Sequence, residues 1–81
     1  MQDEETLNLF LKQFGEKAKM EREKRNLTLA DLESLTTIDL SDLHKIEQGK
    51  RNLTFKTFLK ISSAYNLHPK DLLDFEFDIK K

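Results

Sequence analysis

His44 and His68 are the only histidines in the chain, and there is no cysteine. Catalysis and metal binding both need such groups gathered together, either a nucleophile within reach of its base or several ligands around one ion. The two histidines fall on different predicted elements, and no serine or aspartate sits in a recognisable nucleophile motif. The 15 carboxylates are spread along charged faces, where burial does not tune them. The sequence therefore predicts no enzyme, no metal centre, no cofactor and no small-molecule ligand. What remains is a set of donors and cations, with Ser41, His44, Lys45 and Gln48 at helical spacing and Lys50, Arg51 and Asn52 just after them. These groups can hydrogen-bond to a polar partner and pair with its charges, without making or breaking bonds.

Holding them in place requires helices. Leu7, Phe10, Leu11, Phe14 and Ala18 recur at spacings of three and four, which puts them on one apolar stripe of a first helix running to about Arg25. Asn26 ends it. Thr28 is a predicted N-cap, with Asp31 reaching back, for a second helix from Leu29 to Thr36. Asp39, Ser41 and Asp42 favour the start of a third helix, about Asp39–Gln48, which Gly49 closes in a left-handed conformation. After the loop Lys50-Arg51-Asn52-Leu53, Thr54 caps a fourth helix that turns Phe55, Phe58, Ile61, Ser62 and Tyr65 inward and stops at Asn66. Pro69 opens a short fifth helix carrying Leu72 and Leu73. Beyond it Phe75, Phe77 and Ile79 alternate with Glu76, Asp78 and Lys80, the period of a strand.

A chain of 81 residues makes one small domain. Residues 1–13 read as an N-terminal extension continuing into the first helix, 14–73 as the central domain and 74–81 as a tail. With 37% hydrophobic and 36% charged residues, 2 glycines and 1 proline, the composition is that of a helical globular protein rather than a linker. No apolar run approaches the ~20 residues that span a bilayer, and the acidic start Met1-Gln2-Asp3-Glu4-Glu5 is unlike a signal peptide. A thiol-free chain suits a reducing compartment. The net charge of −1 gives no overall attraction to a polyanion, so any such binding must come from local charge.

Between Thr28 and Gly49 the chain reads as a helix, a short turn and a second helix. Leu32, Ile38, Leu43 and Ile46 fit two short helices crossing steeply, which leaves Leu40, Ser41, His44, Lys45 and Gln48 outward on the second. A helix presented in this way fits the major groove of duplex DNA. The sequence resembles the Cro and phage-repressor type of helix-turn-helix, the XRE family of DNA-binding regulators. The resemblance is carried by Asn26-Leu27-Thr28, Leu32, the string Leu43-His44-Lys45-Ile46-Glu47-Gln48-Gly49-Lys50-Arg51-Asn52, and Thr57-Phe58-Leu59-Lys60-Ile61. Asn66-Leu67 and Asp71-Leu72-Leu73 extend it, so that it covers about Phe14 to Leu73.

The resemblance implies an all-α, five-helix domain that regulates transcription by binding double-stranded DNA as a homodimer, without a cofactor, in a bacterial or phage cytoplasm. It implies an ion pair between Arg22 and Glu47. It places Leu40, Ser41 and Lys45, with His44 beside them, at base-reading positions, and Thr28, Lys50, Arg51 and Asn52 at phosphate contacts. Several residues depart from the family pattern. Leu29 stands where a glutamine is frequent, and Glu33 replaces a small residue, so its stem is expected to bend out to water. Thr37 replaces a turn glycine, where a positive φ would strain a β-branched side chain. Asp39 is explicable as an N-cap, whereas nothing in the sequence accounts for Asp42. The apolar ends, Leu7, Leu9, Phe10 and Leu11 in front and Phe75, Phe77 and Ile79 behind, are expected either to cover the small core of their own chain or, in the tail, to dimerise by pairing strands across a two-fold axis. The two aspartates keep an alternative in view: a protein-interaction module on the same scaffold, an antitoxin or regulatory subunit.

Overall fold

In the computed structural model, which describes residues 3–77, the chain forms five helices: α1 (Asp3–Lys24), α2 (Leu29–Thr36), α3 (Leu40–Glu47), α4 (Phe55–Ala64) and α5 (Pro69–Leu72). Each boundary has a local cause. Asp3, Glu4 and Glu5 in the first turn of α1, and Arg22 and Lys24 in its last, oppose the partial charges of the helix ends. Asn26 and Asn66 reverse the chain at φ 57° and 54°, left-handed positions that asparagine tolerates better than most residues. Thr28 and Asp31 form a reciprocal capping box, the Asp31 N–H donating to Thr28 Oγ1 at 3.0 Å and the Thr28 N–H to Asp31 Oδ2 at 2.9 Å. The Thr28 backbone bond holds the Asp31 carboxyl below its ordinary pKa. Pro69 occupies the first turn of α5, and the His68 ring accepts the Lys70 N–H through Nδ1.

The core is a single cluster to which every helix contributes: Phe14 and Ala18 from α1, Leu32 from α2, Leu43 and Ile46 from α3, Ile61 from α4 and Leu72 from α5, with Tyr65 just past α4. Each fully buried leucine, isoleucine or phenylalanine contributes about 1.5–3 kcal/mol relative to exposure. Tyr65 also joins two helices, its hydroxyl donating to the Ala18 carbonyl at 3.1 Å. Beside it lies a charge cluster that the sequence reading did not single out. The buried Glu21 carboxylate meets Arg25 at 2.6 Å, Lys17 at 2.7 Å and Lys24 at 3.6 Å. Hydrogen bonds from Lys17 and then Arg25 bring the Glu21 pKa down to about 2. The Arg25 guanidinium stacks over the Tyr65 ring at 5.4 Å and donates to the Tyr65 carbonyl, tying the end of α1 to the end of α4.

Two expectations are corrected. Phe55 does not face inward: it is 85% exposed, because it begins α4 one turn before Phe58 reaches the core. Nor does a strand form among the described residues, the chain from 74 to 77 being irregular. Phe75 and Phe77 instead pack on Phe10 of α1, with ring centroids 5.3 and 5.2 Å away, and Ile79 lies outside the described residues. A lone strand has no hydrogen-bonding partner in this helical fold, whereas α1 offers an apolar ring within reach. No helix among the described residues is long and apolar enough to cross a membrane.

Candidate nucleic-acid interface

The turn between α2 and α3 is held by side chains as much as by backbone. Thr36, buried at the end of α2, donates its hydroxyl to the Leu32 carbonyl at 2.7 Å and accepts the Ile38 N–H at 3.1 Å. Thr37 adopts the left-handed conformation at φ 61°, where its N–H donates to the Glu33 carbonyl at 2.8 Å. The β-branched residue therefore bears the strain that a glycine would avoid.

Glu33 does not bend out to water. It is half-buried, and its carboxylate accepts the Leu40 N–H at 2.9 Å, so it caps α3 from the preceding helix. This also corrects the role of Asp39. That residue stands at the N-cap position, yet its side chain makes no cap bond and instead accepts from the Ser41 hydroxyl at 3.3 Å. The free N–H groups at a helix start favour a carboxylate, and here the longer Glu33 side chain reaches them across the turn.

The other end of α3 is pressed against α1. A Cβ on Gly15 would lie 2.5 Å from the Glu47 carbonyl oxygen and 2.6 Å from that of Ile46, so only glycine allows the helices to approach this closely. Gly49 meets the same helix from the loop: at φ 75° it closes α3, and a Cβ there would lie 2.7 Å from Lys12 Cα. Arg22 adds a two-point bond to Glu47, with Nε to Oε2 at 2.7 Å and Nη2 to Oε1 at 3.1 Å, while its Nη1 donates to the Leu27 carbonyl at 2.7 Å. The bond to Glu47 raises the Arg22 pKa above its ordinary value. α3 is thus fixed at its start by Glu33 and at its end by Gly15, Gly49 and Arg22.

Between those fixed ends, Leu43 and Ile46 face the core, while Leu40, Ser41, His44, Lys45 and Gln48 are exposed on the opposite side. Thr28, Lys50, Arg51 and Asn52 are exposed as well, while Phe75 and Phe77 of the tail lie on Phe10 of α1. The Thr28 oxygen accepts within the capping box, which leaves its hydroxyl proton free to donate. Arg51 is not a free cation. Its Nη2 donates to Asp42 Oδ1, so the aspartate that the sequence left unexplained has a partner across the α3–α4 loop.

Gly15, Glu33 and Thr36, and the pairing of Asp42 with Arg51, were missed as determinants of this surface. A glycine inside a helical pattern was the one available sign, since it usually marks a close approach. The others depend on which side chains the steep crossing of α2 and α3 brings together. Among the described residues no group of three or more histidine, cysteine, aspartate or glutamate side chains is placed to hold a metal ion.

A helix-turn-helix domain model matches residues 15–76. The control protein C.BamHI of Bacillus amyloliquefaciens is 36% identical over 63 residues, which span 76% of this chain and 78% of that protein. The solved structure of the restriction-modification controller protein C.AhdI from Aeromonas hydrophila aligns with a TM-score of 0.75 at 29% identity, covering 76% of this chain and 94% of the other. With α2 and α3 packed across the Thr37–Asp39 turn and these likenesses spanning most of its length, the chain belongs to the Cro and phage-repressor type of helix-turn-helix proteins, the XRE family of DNA-binding regulators.

Proposed function

We propose that the protein regulates transcription in the bacterial or phage cytoplasm by binding a specific duplex DNA site as a homodimer, with α3 in the major groove. The observation that carries this reading is the uncovered outer face of α3, continuous with the Lys50–Asn52 loop and fixed at both ends by α1 and α2. Lys45 can donate to guanine O6 or N7, Ser41 can serve several bases, and Leu40 can touch a thymine methyl, with His44 beside them. Thr28, Lys50, Arg51 and Asn52 suit phosphate oxygens and would set the docking register.

Fluorescence anisotropy with duplex DNA over a salt series tests the reading. Affinity is expected to fall steeply as salt rises, each neutralised phosphate adding about 0.9 to the log–log slope. Lys45→Ala should relax base preference, at roughly tenfold for one good contact, whereas Lys50→Ala should weaken all sequences alike. No binding to any duplex at about 50 mM salt, where backbone attraction is strong, would overturn the reading. The exposed acids Asp39 and Asp42 in and beside the first turn of α3 favour the second reading, a module for a protein partner, and that result would select it.

What supports the homodimer is an exposed apolar surface. Phe55, 85% exposed, forms part of the wall of an apolar hollow of about 300 Å³ that Leu7, Phe10, Phe14, Phe58 and Leu73 also line. An open apolar hollow with an exposed ring in its wall suits a two-fold contact, in which the same surface of each copy covers the other. Phe77 borders the same apolar region through Leu7 and Phe10, so the tail lies at its margin. Two half-sites read in this way would lie about 34 Å apart. Phe55→Ser, at a position outside the core, is expected to halve the mass measured by light scattering while leaving the helical signal intact. A dimeric Phe55→Ser variant would rule out this contact.

A further inference from the structure

The Asp42–Arg51 pair lies on the flank of α3, next to the face that carries Ser41 and Lys45, and both side chains are 44% exposed. No buried group requires it, and an ion pair so open to water contributes little to stability. Its place is nevertheless consequential. Arg51 is one of two cations in the loop leaving α3, and Asp42 is a fixed negative charge on the helix meant for a polyanion.

We propose that Asp42 is an intramolecular competitor of DNA phosphate for Arg51, and so limits the affinity of the interface for duplex DNA. This rests on the DNA-binding reading above. A carboxylate and a phosphate oxygen are both acceptors for the same guanidinium, and while Asp42 holds it the pair carries no net positive charge to offer the phosphates. When DNA arrives, Arg51 either stays with Asp42, so that the pair brings the phosphates no net positive charge, or leaves it and sets the freed negative charge of Asp42 against them. Both routes cost affinity that does not depend on base sequence. Lys50 has no such competitor among the described residues, and Arg22, which does have a carboxylate, is spent on holding Glu47. The interface therefore releases about one counterion fewer than its basic residues suggest, which leaves base contacts from Ser41 and Lys45 a larger share of the binding.

Asp42→Asn keeps the shape and removes the charge. At about 100 mM salt it is expected to tighten binding to random and selected duplexes alike, by roughly five- to tenfold, and to steepen the log–log salt slope by about 0.9. Arg51→Ala should cost much more affinity in the Asp42→Asn background than in the unmodified protein, since only there is the guanidinium free. Thermal melts of each variant show that the fold is retained, since Asp42 also favours the helix start slightly. If the unmodified protein binds DNA but Asp42→Asn binds more weakly, or with an unchanged slope, the competitor role is refuted while the DNA-binding reading stands. If neither protein binds any duplex at low salt, the underlying reading fails and the competitor role goes with it.

Discussion

Arg22→Met should destabilise the protein by about 3 kcal/mol, the range seen when one member of a buried ion pair is removed. The side chains of Arg22 and Glu47 are only 12% and 7% exposed, so the methionine would leave a carboxylate shut away from water. That carboxylate also sits at the last residue of α3, where the partial negative charge of the helix end adds to the penalty. The Leu27 carbonyl would lose a donor at the same time. For a domain of this size the melting temperature should fall by about 12–24 °C in a thermal melt followed by circular dichroism. The double variant Arg22→Met, Glu47→Leu separates the cost of an orphaned charge from the worth of the intact pair. It should recover most of the loss, because apolar replacement of both partners is often neutral. An unchanged melt for Arg22→Met would show that the pair does not support the fold.

Gly15→Ala should also destabilise, and here two effects of opposite sign compete. Helix propensity favours alanine over glycine by about 1 kcal/mol. Against it, the new methyl would lie 2.5–2.6 Å from two carbonyl oxygens of α3, and these are backbone atoms with no rotamer to change. Overpacking of this kind costs about 1–3 kcal/mol or more, and a clash at this distance falls at the high end. A net loss of about 2 kcal/mol and a melting temperature lower by roughly 10 °C are expected. Relief of the clash requires the end of α3 to move away from α1, so DNA affinity measured well below the melt should fall as well. A melting temperature at or above that of the parent would mean that propensity prevails and that the approach of α1 to α3 is not tight.

Both variants act on α1 where it meets the end of α3, and only one was legible in the sequence. The Arg22–Glu47 pair came through the family resemblance. Gly15 carried only the mark of a glycine inside a helical stripe. The same division holds in the turn. Thr28 and Asp31 could be read as a capping box because both partners lie within one turn of the chain. The cap of α3 could not, since Glu33 reaches Leu40 across the turn, over a separation set by the crossing of two helices.

The aromatic residues show the limit of periodicity. Phe14, Phe58 and Tyr65 fall on apolar stripes and are buried or half-buried, but Phe55 falls on the same stripe and is 85% exposed. A stripe states which way a side chain points, not whether a neighbouring helix extends far enough to cover it. Phe75 and Phe77 carried the alternation of a strand, and that pattern needs a partner strand before it can be realised. With Phe10 of α1 close by, aromatic packing satisfied the apolar rings instead.

By itself the sequence determined the five helices, their stops and most of the core, because capping, left-handed closure and helical spacing act over a few residues at a time. It also determined the family, through a string of residues running from Leu43 to Asn52. The tertiary structure decided what surrounds that string: which carboxylate caps α3, which glycine lets α1 approach it, and which aspartate holds Arg51. Those outcomes depend on distances between side chains far apart in the chain or on opposite sides of a turn, and such distances exist only once the helices have packed.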